Sequence, residues 1–188
     1  MGKLWMILTL SVSLFGSVPL GQKPAPASQV LNDAEAQAAK QHKLIFLVFS
    51  ASWCGPCHQL DSFVTAKEID PILNKYFVFA KLNVEEKAGK HPELESPGGE
   101  DLAAKLGAVD ARSRSIGLPF IVFLDATGKL MANSNRPVDG QSRGASIGYP
   151  ATPEEIDWFM AMLKKAVPSM SAAESHTIED WLRNVPAT

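Results

Sequence analysis

Both cysteines of this 188-residue chain fall in one short segment, Trp53-Cys54-Gly55-Pro56-Cys57-His58. Two thiols three positions apart can close into a small ring and reopen it, which suits them to reversible two-electron exchange. The same spacing also serves as half of a zinc site or as a static staple. A staple is the poorer use, because closing so short a ring removes little entropy from the unfolded chain. A zinc site needs two further ligands, and His42, His58, His91 and His176 show no paired His-x-x-x-His spacing. No metal and no bound cofactor is therefore expected, and redox exchange leads.

The flanking elements must present this pair. Leu44-Ile45-Phe46-Leu47-Val48-Phe49 reads as a buried strand directly upstream, and Gln59, Leu60, Phe63, Val64 and Lys67 follow at helical spacing downstream. A first helix over 28–43 leads into that strand. Beyond the cysteines, 69–75 continues helically and 76–84 is a second buried strand, so strand, helix and strand imply a parallel pair with a crossover. A polar loop over 85–99, a short helix over 100–106 and a loop over 110–117 lead to the strand 118–124. Asp125-Ala126-Thr127-Gly128 turns that strand back into 129–132 as a β-hairpin. The stretch 133–150 reads as a long loop. Thr152-Pro153-Glu154-Glu155 then combines an N-cap, a proline at the first helical position and a glutamate at the third. Ile156, Phe159, Met160, Leu163 and Val167 form one face of that helix, and a short helix over 177–185, capped at Thr177, is expected in the tail.

Length and mixed composition imply one globular domain. Residues 1–21 resemble an export signal, with Lys3 in a charged n-region and an apolar run from Leu4 to Leu20; an uncleaved anchor is the alternative. Residues 22–27 read as a linker, 28–167 as the folded domain and 168–188 as an extension. Small residues at Ala25 and Ala27 fit a cleavage site but lie far along. The net charge is −2, and losing Lys3 with no acid takes it to −3, which gives no reason to expect nucleic-acid binding. Export is expected to place the dithiol in an oxidising compartment, which in a bacterium is the periplasm.

The element order over 28–167, the Trp53–Cys57 segment, the 80–84 strand and Gly117-Leu118-Pro119 before an apolar strand together resemble the thioredoxin family. That resemblance implies an α/β thioredoxin-like fold, a central mixed sheet flanked by helices. It implies a cis Leu118–Pro119 bond set against a Cys54–Cys57 disulfide, with the Leu118 backbone free to pair with an extended substrate. Trp53, Leu118, Pro119 and Tyr149, in the Ile147-Gly148-Tyr149 loop, become candidate substrate contacts. Gly55, Pro56, His58 and Lys81 become supporting residues, with Pro56 setting the turn and the potential. The chain departs from the family where a buried aspartate usually sits six residues before the first cysteine: here it carries Val48. Lys81, matching a lysine usually paired with that acid, is then expected to lack it, leaving Lys81, water or Glu85 as proton acceptors.

Cys54, exposed at the start of its helix, is expected to be the attacking sulfur, because the helix dipole and free amides favour a thiolate there. Cys57, one turn inward, resolves the mixed disulfide. His58 adds positive charge when protonated and is otherwise a solvated helix residue. The expected function is an exported thiol-disulfide oxidoreductase, a monomer acting on protein disulfides and drawing electrons from a membrane-borne donor. Gly-Pro between the cysteines resembles reductases more than oxidases, and an isomerase usually wants a dimer or an added domain. The reading from another class is a non-catalytic peptide-binding or chaperone module.

Overall fold

The computed structural model describes residues 23–87, 90–108, 115–139 and 141–184. The segment 1–21 and the Arg112 and Arg114 positions lie outside the described residues, among which no helix is long and apolar enough to cross a membrane. The elements follow in order: α1 (Ala27–Gln41), β1 (Leu44–Ser50), α2 (Gly55–Val64), α3 (Asp70–Tyr76), β2 (Phe77–Asn83), a 3-10 turn (Pro92–Leu94), α4 (Gly99–Lys105), β3 (Phe120–Leu124), β4 (Leu130–Asn133), β5 (Asn135–Val138), β6 (Gln141–Ser146), α5 (Pro153–Ala166) and α6 (Ala172–Asn184).

β1 is apolar at nearly every position because both of its faces are covered. Alternate side chains go to opposite sides of a strand, so Phe46 and Val48 enter one core while Ile45, Leu47 and Phe49 enter another. β1 pairs in parallel with β2 and antiparallel with β3, and β3 pairs with β4, giving the mixed order β2-β1-β3-β4 among the described residues. Helices α2, α3, α5 and α6 cover the first face with Leu60, Phe63, Leu73, Phe159 and Leu163, whereas α1 and α4 cover the second with the small residues Ala34, Ala38 and Ala103. The expected crossover and hairpin are therefore both present. The first core is aromatic at its centre: Phe46 packs on Phe77, Phe79 and Phe123 at centroid distances of 5.7, 4.9 and 5.0 Å.

Ala27, one end of the candidate cleavage site, is buried at the start of α1 and donates its N–H to the Pro97 carbonyl at 2.8 Å. The helix expected to run past Val64 stops there, and Thr65 caps its end. Proline at 119 lies just before β3, so no ladder bond of that strand is lost.

The segment expected as a long loop over 133–150 instead holds the β5–β6 ribbon, with Asn135 opposite Ser146 and Arg136 opposite Ala145. Its strands are polar because backbone pairing and amides, rather than apolar alternation, hold it. Asn133 and Asn135 donate their side-chain amides to the carbonyls of Leu106 and Gly107 at 3.0 and 2.8 Å. Wholly buried Ser134 donates its N–H to the Ile121 carbonyl and accepts the Ile121 N–H on its hydroxyl, tying the ribbon to β3. At Gly144, φ is +71° and a Cβ would collide with the Arg136 carbonyl, so the ribbon needs glycine there.

α5 starts with the expected capping box between Thr152 and Glu155. α6 begins five residues before the expected Thr177, because Ser171 and Glu174 exchange backbone bonds as a second capping box. Its Ile178 and Leu182 are buried in the first core, and Trp181 leans on Phe63 at 5.1 Å. Glu174 also accepts from Lys75 Nζ and Tyr76 Oη, both at 2.8 Å, fastening α6 to α3. The tail thus braces the layer that carries the cysteines.

Ile178→Ala is expected to cost about 2–5 kcal/mol, as burial and cavity loss predict, read as a lower urea midpoint at unchanged m-value. Lys75, followed by Ser171 and Tyr76, lowers the Glu174 carboxyl from 4.5 to about 2. A folded-state pKa below the unfolded value means stability present above about pH 4.5 and lost as pH falls toward about 2. Melting curves of wild type and Glu174→Gln should therefore differ at pH 6 and converge near pH 2; a constant difference would contradict the linkage.

Candidate functional site

β1 delivers Ala51, and the chain turns tightly so that the Cys54 N–H bonds the Ala51 carbonyl at 3.1 Å. Cys54 is the N-cap of α2, with extended backbone, and its Sγ accepts the Cys57 N–H at 3.2 Å. Gly55 and Pro56 occupy the opening positions of the helix, where the missing amide of proline is no loss. A side chain at Gly55 would meet nothing within 4 Å, so that position is open to solvent. Cys54 and Cys57 form a disulfide with Cα atoms 5.2 Å apart.

The expectation of an exposed Cys54 needs correcting. Cys54 retains 4% of its surface and Cys57 1%, because Ala51 and Leu118 pack against the pair. The order of exposure holds, but the approach is narrow. Trp53 beside it is 46% exposed, and its indole N–H donates to the Glu85 carbonyl at 3.0 Å.

The Leu118–Pro119 bond is cis, and Leu118 lies against the disulfide across the site. Gly148, at φ +60°, backs this segment, where an added Cβ would reach ordinary contact with the Leu118 carbonyl and Pro119. Tyr149 does not join the surface: it is 7% exposed within the first core together with Ile147, and burial pushes its phenol up from its ordinary value. Its apolar ring fills the end of that core, which leaves it little surface to offer a substrate.

Val48 lies buried beneath α2 among Phe46, Leu60 and Phe63, so the place of the missing acid is apolar. Lys81, opposite Val48 on β2, lacks the buried acid, as expected, but it finds another: its Nζ meets Asp61 Oδ2 at 2.6 Å, because α2 covers that face of the sheet. Glu85 is also engaged, its Oε1 accepting the Ile116 N–H at 2.7 Å. His58 is exposed, yet its Nε2 lies 3.0 Å from the Ser52 carbonyl; a carbonyl only accepts, so the ring proton of this bond sits on Nε2.

Two residues that sequence reasoning missed stand behind the cysteines. Glu86 is wholly buried, and its carboxylate accepts the Ser52 N–H at 2.7 Å and the Ser52 hydroxyl at 2.6 Å. The sole sequence signal was a second acid after a buried strand, which by itself reads as loop. Among the described residues no group of His, Cys, Asp and Glu could hold a metal ion.

Among solved structures, a disulphide isomerase from Xylella fastidiosa Temecula1 is similar at 19% identity and TM-score 0.48, covering 95% of this chain and 98% of its own. A DsbH oxidoreductase is similar at 17% and 0.43, covering 85% and 96%. A thioredoxin from Thermus thermophilus is similar at 18% and 0.42, covering 79% and 93%. Comparison with curated proteins by sequence finds no match. The family model described as a thioredoxin-like domain matches residues 31–135, which takes in the mixed sheet through β4, the cysteine pair and the cis proline. With more than half of its length so matched, the chain belongs to the thioredoxin-like family.

Proposed function

We propose that this protein is an exported thiol-disulfide oxidoreductase that reduces or exchanges disulfides of protein partners. The observation that carries the reading is the Cys54–Cys57 couple at the start of α2, with the Leu118–Pro119 segment packed against it. Backbone amides at a helix start favour a negative sulfur, so Cys54 is the nucleophile of the reduced form. Its thiolate attacks one sulfur of the partner's disulfide, that bond breaks, and the leaving sulfur takes a proton from water. Cys57 then loses its proton and attacks Cys54 Sγ, which releases the second partner sulfur and closes the ring. Two electrons pass to the partner, and a dithiol donor returns them by the same exchange in reverse.

Val48 occupies the place of the family's buried acid, and the buried Glu86 carboxylate is bound to Ser52, so neither receives the Cys57 proton. Lys81 is held by Asp61 and the Glu85 carboxylate by Ile116 N–H, so water is the acceptor. The exposed ring of Trp53 beside the pair suits contact with an extended segment that pairs with the Leu118 backbone. The apolar run of residues 4–20 and the confinement of cysteine to one pair support export, and an exported reductase needs a membrane-borne donor. Gly-Pro between the cysteines supports the reducing direction.

Titration of the purified protein in thiol buffers should give a reversible two-electron couple near about −270 mV for a reductase, whereas about −120 mV would reverse the direction. Cys54→Ser should abolish reduction of a protein disulfide, and Cys57→Ser should trap the mixed disulfide. Absence of a reversible couple, with peptide binding retained in Cys54→Ser, would replace the enzyme by a peptide-binding module. Lys81→Met should leave the exchange rate unchanged and stability within about 0.5 kcal/mol, as expected of an exposed ion pair; a large rate loss would make Lys81 the proton acceptor.

A further inference from the structure

Glu85 and Glu86 follow β2, and their bonds reach Ser52 and Trp53, which precede Cys54, and Ile116, which precedes Leu118. Glu85 has φ +56°, a left-handed conformation uncommon for a residue with a side chain, so its placement is a feature to explain. In that conformation its carbonyl accepts the Trp53 indole at 3.0 Å while its carboxylate accepts the N–H of Ile116, two residues before Leu118. Glu86 turns the other way. Its carboxylate is wholly buried and both oxygens are spent on Ser52, at 2.7 Å to the N–H and 2.6 Å to the hydroxyl. The Glu86 N–H is itself fixed, donating to Glu95 Oε2 at 2.8 Å, and the Ser52 carbonyl carries the ring of His58.

Ser52 and Trp53 are the residues from which Cys54 projects. Among the described residues Glu86 forms no ion pair with a lysine, arginine or histidine, so the buried carboxylate lacks a cationic partner there. Burying an acid beside Ser52 costs desolvation that a neutral acceptor would largely avoid. Bonds to a charged acceptor are also stronger and more directional than neutral ones, which is what a turn held to a fraction of an ångström requires.

We propose that Glu86 is a positioning residue for the Cys54 sulfur, holding the Ser52–Trp53 turn while its neighbour Glu85 ties that turn to the segment entering Leu118–Pro119. One dipeptide at the end of β2 thereby sets the separation between the nucleophile and the backbone edge on which a partner chain would lie. The inference rests on the exchange reading of the site.

The test uses the full chain, insulin as the protein disulfide, and glutathione buffers. Glu86→Ala leaves two half-buried donors on Ser52 without that acceptor, and is expected to lower kcat/KM for insulin reduction about tenfold, the size of one lost charge-assisted hydrogen bond. The same variant should shift the dithiol–disulfide equilibrium with glutathione. Glu86→Gln can still accept the Ser52 N–H and donate its amide to the Ser52 hydroxyl but loses the charge, so its rate should lie between those of Glu86→Ala and the wild type. A lower melting temperature in Glu86→Ala with wild-type kcat/KM and an unmoved glutathione equilibrium would show a merely structural role and overturn the proposal. If Glu86→Ala does not fold, Ser52→Ala decides: it deletes only the hydroxyl bond and is expected to lower kcat/KM about threefold, and an unchanged value overturns the proposal. An inactive wild-type protein overturns the exchange reading and this inference with it, whereas an active wild type with an indifferent Glu86→Ala overturns this inference alone.

Discussion

The strand β1 is the constraint on which the rest of this structure depends. It is covered on both faces, so its alternation divides Ile45, Leu47 and Phe49 from Phe46 and Val48 and thereby creates two cores at once. A strand buried in this way cannot slip by one residue without exchanging the contents of both cores. Its end is consequently fixed, and the turn Ala51–Cys54 leaves from a rigid point. The cysteine helix inherits that rigidity, and Phe63, Phe159 and Trp181 pack the far end of the same layer.

What was legible in the sequence is what is local. The cysteine segment, the strand before it, the parallel crossover and the Thr152 capping box all depend on residues close in sequence, and their patterns survive folding. The β5–β6 ribbon was not legible, because Asn133, Asn135 and Ser134 hold it through bonds to Leu106, Gly107 and Ile121, none of which a periodicity can express. The start of α6 does carry a local signal, since Ser171 and Glu174 have the same spacing as Thr152 and Glu155.

The site follows the same division. Cys54, Cys57, Trp53 and Pro119 stand where their motif implies, whereas the partners of Lys81 and Ser52 lie 20 and 34 residues away and emerge only in three dimensions. Tyr149 shows the converse error. An aromatic residue in a loop beside the groove reads as a contact, yet an uncovered end of a core is an equally strong attraction for a large ring. Val48 leaves the place of the buried acid apolar, and Glu85, Glu86 and Glu95 gather instead beyond the end of β2.

If the proposed exchange is the activity, the near-complete covering of Cys54 has a consequence for selectivity. Cys54, with so little free surface, is packed against Ala51 and Leu118. A disulfide embedded in a rigid, convex surface cannot bring its own sulfur into line behind that covering. One carried on a slack stretch of chain can. Choice among partners would then be made by local unfolding of the partner rather than by its residue identities, and a well-folded neighbour would be passed over however plentiful it is.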